Sequence, residues 1–185
     1  MLCLFGSQIK AFPPLPESIR VLSLDTNENI KWSMQEIAAL PLPNLETLKV
    51  GSCPLIQNEH VLAILAPSLE KRSLRSLSLP GCHSLDFHSF DWLLRHGENL
   101  EKLVIVANSC AVTDEALKEV MKFKMLRYLD LSGCDISLIG LMNVVNGSLG
   151  ALREVVISCR LAKDTAVTQL AAKSGVKITS RLGYL

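Results

Sequence analysis

One spacing pattern recurs along this chain and limits what it can fold into. Aliphatic residues take the first, fourth and sixth positions of a unit, and Asn or Cys takes the ninth. The first two units are Ile19, Leu22, Leu24, Asn27 and Leu45, Leu48, Val50, Cys53. They are followed by Leu74, Leu77, Leu79, Cys82, then Leu100, Leu103, Ile105, Asn108, then Leu126, Leu129, Leu131, Cys134. A sixth unit keeps Leu152, Val155 and Ile157 but carries Arg160 at position 9, with Cys159 one residue early. Successive units begin 26, 29, 26, 26 and 26 residues apart. Such a period predicts stacked copies of one supersecondary unit. Positions 4 and 6 share one face of a short strand, and 3, 5 and 7 point the other way. Position 9 turns the chain out of the strand, and its side chain must donate to backbone carbonyls left unpaired in the buried turn. Asn27, Cys53, Cys82, Asn108 and Cys134 are therefore expected to form a structural ladder. Its three cysteines are read as buried thiols, not bridges or zinc ligands.

A stretch with helical spacing follows each strand. In 113–121, Thr113 is the expected N-cap, with Asp114 and Glu115 set favourably against the helix dipole. Comparable segments are 34–40 (Met34, Ile37 and Leu40 inward), 58–66 (Val61, Ile64, Leu65) and 87–96 (Phe90, Leu93, Leu94). Two more are 137–145 (Leu141, Val144, Val145) and 164–173 (Val167, Leu170, Ala171). The whole resembles the leucine-rich-repeat pattern. That resemblance implies an α/β solenoid of about six to seven repeats, with a curved parallel sheet on the concave side and helices on the convex side. Residues 1–18, with Pro13, Pro14 and Pro16, are expected to be an irregular lead-in, and 19–185 the repeat domain. A closing strand is expected over 175–179. Strand edges bared at both ends predict a piece of a longer chain, or ends covered by a partner.

The 19 basic and 18 acidic residues leave a net charge of +1, so no nucleic-acid or membrane partner is expected. No apolar run approaches the length of a bilayer span, and no secretory signal is recognised. Six cysteines in that setting point to reduced thiols and a cytoplasmic or nuclear location. No phosphate loop, C-x-x-C pair, H-E-x-x-H or G-x-S-x-G motif is present, so no enzyme, cofactor or metal is expected. Cys82, His83 and His88 match no common zinc spacing. His60 and His96 read as ordinary helix residues, Cys110 as a structural turn thiol, and Asn146-Gly147-Ser148 as the loop after a helix rather than a used glycosylation sequon.

The 26-residue period, Cys at the ladder position and the helix opening Val112-Thr113-Asp114-Glu115-Ala116-Leu117 resemble the cysteine-containing repeats of F-box proteins over roughly residues 19–178. That resemblance implies a non-catalytic module that recruits the substrate protein of a ubiquitin ligase. A ligase adaptor would be the second partner if an F-box lies upstream of Met1. The other reading is a free-standing intracellular inhibitor or scaffold. Either way, the concave positions 3, 5 and 7 are where a protein partner is expected. In the first three units these are mostly small and polar. In the last three, Val104, Val106, Tyr128 and Val156 form an expected apolar centre, edged by Lys102, Asp130 and Glu154.

Overall fold

The computed structural model describes residues 1–4, 12, 14–26, 33–85, 97–106, 112–147 and 150–181. Its strands are β1 (Leu2–Cys3), β2 (Val21–Ser23), β3 (Thr47–Lys49), β4 (Ser76–Ser78), β5 (Lys102–Val104), β6 (Tyr128–Asp130), β7 (Glu154–Ser158) and β8 (Lys177–Arg181). They form one sheet in strict chain order, parallel at every pairing. The described helices are α1 (Met34–Ala38), α2 (Asn58–Glu70), α3 (Asp114–Val120), α4 (Leu138–Gly147), α5 (Cys159–Ala162) and α6 (Thr165–Ser174). The segment 87–96 lies outside the described residues.

Register follows the repeat without a slip. Position 4 residues pair in sequence as Leu2, Leu22, Leu48, Leu77, Leu103, Leu129, Val155 and Ile178. From Leu22 to Val155 these are fully buried, as are their position 6 neighbours Leu24, Val50 and Leu131. They share one hydrophobic core with Ile37, Ile64, Leu65, Leu117, Leu141 and Val167 from the helices. A strand of three residues buries too little to stand alone, so each unit is stable only against its neighbours.

Three details depart from the sequence reading. The lead-in contains β1, which pairs Leu2 with Leu22 and Cys3 with Ser23. Met34 is 41% exposed instead of inward, because the short α1 turns only Ile37 fully into the core. Thr113 is the N-cap residue of α3, but its side chain makes no capping bond. The neighbouring Asp114 carboxylate instead accepts from the backbone N–H of Ser137 at 2.9 Å and from the Ser137 hydroxyl. Ser137 Oγ in turn accepts from Gly140 N at 3.2 Å, satisfying a free donor at the start of α4.

The turns after β2, β3, β4 and β6 share one conformation. Thr26, Ser52, Gly81 and Gly133 all occupy position 8, with φ of 59°, 52°, 69° and 78°. Left-handed backbone there brings position 9 back toward the core. The three ladder thiols then donate to the position 6 carbonyl of the preceding unit: Cys53 to Leu24 at 3.2 Å, Cys82 to Val50 at 3.0 Å and Cys134 to Ile105 at 2.8 Å. Burial pushes the Cys82 thiol up to about 12, against a hydrogen bond from the Cys53 backbone that lowers it and with smaller upward contributions from the Cys53 and Asp25 charges, which holds it in the protonated, donating form. Asn27 and Asn108 lie outside the described residues, as do Cys110, His88 and His96. Arg160 leaves the ladder altogether. It is exposed within α5, whose N-terminus is capped by Ser158.

A second ladder sits at the other end of the strands. Asn44, Ser73 and Asn99 immediately precede the first leucine of their units. They donate to the carbonyls of Glu17, Pro43 and Arg72, each at 3.0 Å. Each acceptor lies about one repeat earlier in the chain, so both ends of the strand layer are stapled by side chains.

Candidate protein-binding face

Odd positions of β5 to β8 bring the expected residues together on the face of the sheet away from the helices. Lys102, Tyr128, Glu154 and Lys177 are neighbours in one row, and Val104, Asp130, Val156 and Thr179 in the next. Val106 and Ser132 extend the position 7 row. The pleat alone produces this grouping.

The chemistry of the face differs from the expected apolar centre with a charged edge. Val104, Val106 and Val156 are only 9%, 2% and 4% exposed, so they support the surface more than they form it. Asp130 is fully buried. Its carboxylate accepts from Ser132 N at 3.0 Å, from the Ser132 hydroxyl and, at 3.5 Å, from the Tyr128 hydroxyl. Arg181 of β8 lies 3.4 Å away as its ion-pair partner. A buried carboxylate persists only with such a set of donors.

The accessible groups are polar and aromatic. Lys102 Nζ stands 4.7 Å above the half-buried ring of Tyr128, a cation–π contact. Glu154 accepts from Lys177 at 3.0 Å and from Thr179 at 3.4 Å. Burial first, and then the negative charge of Asp130, raise the Tyr128 phenol above its ordinary value, so it remains a hydrogen-bond donor at neutral pH. Lys177, Thr179 and Arg181 were missed as members of this face, although the closing strand was legible. Continuing the odd-position register through it would have found them.

Two clefts lie elsewhere. One, of about 770 Å³, opens at the strand-end side between the turn after β6 and α5, lined by Asp114, Asp135, Ser137, Arg160 and Asp164 among others. A smaller apolar one, of about 370 Å³, lies between Phe12, Leu15, Ala39 and Leu40. Among the described residues no group of three or more His, Cys, Asp or Glu side chains is arranged to hold a metal ion. No described helix is long and apolar enough to cross a membrane.

Residues 124–145, which span β6 and most of α4, match a family model described as Leucine Rich repeat. No curated protein sequence matches the chain. The match and the chain-ordered parallel sheet support a leucine-rich-repeat protein, a class whose members typically serve as non-catalytic interaction modules.

Proposed function

We propose that this chain is a non-catalytic recognition module that binds another protein on the concave face of β5 to β8, inside the cell. The Lys102–Tyr128 pair carries this reading. A half-buried aromatic ring, held at its hydroxyl by Asp130 and capped by a lysine, is the kind of rigid amphipathic anchor that dominates interfaces. Tyr128, Lys102 and Glu154 make the contacts, while the buried Val104, Val106 and Val156 pack in the neighbouring rows of the same face. Three thiols acting as hydrogen-bond donors suit a reducing cytoplasm or nucleus.

A photo-crosslinking residue at position 128, with the exposed position 139 of α4 as control, tests the site in cells. The same protein should be trapped from 128 and not from 139. Equal trapping from both, or trapping from 139 alone, overturns it.

Within that class the chain is best read as the substrate-recognition repeats of an F-box type ubiquitin ligase subunit. The 26-residue period and the cysteine ladder support this. The test is the transcript upstream of Met1. An in-frame F-box there establishes the adaptor as second partner, whereas an in-frame stop favours a free-standing inhibitor or scaffold.

A further inference from the structure

The net charge of +1 is not spread evenly over the fold. Acidic residues stabilise helix starts and basic residues helix ends. This chain follows that rule at Glu36, Glu59, Asp114 and Glu115, and at Lys71, Lys118 and Lys173. In a stack of parallel strands every long helix runs back the same way, so these local preferences add up. The strand-end rim gathers Asp25, Asp114, Asp135 and Asp164. The strand-start rim carries Lys71, Arg72, Arg75, Lys124, Arg127 and Arg153, interleaved up to β5 with Glu46, Glu70, Glu98 and Glu101.

The strand-start rim is most basic at β6 and β7. Arg127 and Arg153 precede these strands and are joined by a backbone bond from Arg153 N to Arg127 O at 2.9 Å. Both are exposed, and they stand one strand spacing apart, about 4.8 Å. Like charges directly opposed across a sheet are unfavourable. Among the described residues no carboxylate forms an ion pair with Arg127, Arg153 or the nearby Lys124, and the Arg153 guanidinium donates only to the carbonyls of Gly150 and Leu152. Lys102 continues the basic surface onto the sheet face beside Tyr128.

We propose that this rim binds an acidic segment of the partner protein, with Arg127 and Arg153 each receiving a carboxylate. Guanidinium forks match carboxylates in shape and charge. Glu101, one strand away from Arg127, ends the basic row there and leaves a patch of two arginines, short for a nucleic-acid backbone that carries a charge about every 1.7 Å. The inference rests on the reading of the chain as a protein-binding module, and adds a rim site distinct from the Tyr128 anchor.

The test is an amide chemical-shift titration of the full chain with a hexaglutamate peptide at low ionic strength. Shifts should cluster around residues 101–103, 124–128 and 152–154. Arg127→Glu with Arg153→Glu should weaken binding at least about tenfold. Arg160→Glu with Lys163→Glu, an equal change in net charge placed at the opposite end of the strands, should leave it within about twofold. Trapping from position 128 is read separately, so failure of the rim site and failure of the anchor on the sheet face are distinguishable. No shifts, shifts spread over the whole surface, or equal losses in both charge-reversal variants overturn the rim site. Stronger shifts at the rim with a twelve-residue oligothymidylate overturn the assignment to an acidic peptide and favour nucleic acid.

Discussion

Arg181, on the last strand, reaches across β7 to lie 3.4 Å from the buried carboxylate of Asp130 on β6. The aspartate side chain is 1% exposed and the arginine 50%, so the pair is partly screened by solvent. Its removal leaves Asp130 with only the Ser132 and Tyr128 donors. Arg181→Ala should cost about 1–2 kcal/mol in chemical denaturation, less than for a fully buried pair. Asp130→Asn should partly offset that loss in the double variant, because no charge is then buried.

The thiol ladder predicts a graded series. Cys134→Ala removes the donor to Ile105 O and should destabilise by about 1–3 kcal/mol, whereas Cys134→Ser keeps a donor and should cost less. An equal cost for both variants would count against the ladder's hydrogen-bonding role.

Alkaline pH should unfold the protein in a defined window. The folded Cys82 thiol is raised to about 12 from an ordinary value of 9.0, so the folded state holds its proton more tightly than the unfolded chain. Its contribution is fully present below about pH 9 and is lost progressively as pH rises toward 12. Urea midpoints measured from pH 8 to 11 should fall, and Cys82→Ala should flatten the fall.

Ser52 pays for a left-handed backbone that Gly81 and Gly133 adopt freely at the same position. Ser52→Gly should therefore stabilise by about 0.5–1 kcal/mol after the entropic penalty of glycine. A lower melting temperature would show that the turn is held by something other than its φ.

Gly140 makes room for Asp114. A Cβ at Gly140 would lie 2.1 Å from the Asp114 carboxylate, which is anchored on Ser137. Gly140→Ala should destabilise the protein by about 1 kcal/mol. In an Asp114→Ala background the same change should stabilise it by about 0.5–1 kcal/mol through helix propensity. A double-mutant cycle reads this change of sign directly.

The sequence by itself determined the unit. Leu22, Leu48, Leu77, Leu103 and Leu129 are legible as core because the period of a strand is local, and position 9 is legible as a ladder because the turn is local too. It also placed Lys102, Tyr128 and Glu154 on one face. Only the tertiary structure decided what that face presents. Asp130 became a buried group instead of an edge charge through contacts with Tyr128, Ser132 and the distant Arg181. The pairing of Asn44, Ser73 and Asn99 with the preceding unit was hidden for the same reason, since their acceptors lie one repeat away. The juxtaposition of Arg127 and Arg153 likewise exists only once β6 and β7 pair. Burial and electrostatic fields are sums over neighbours in space, and the stacking of repeats chooses those neighbours.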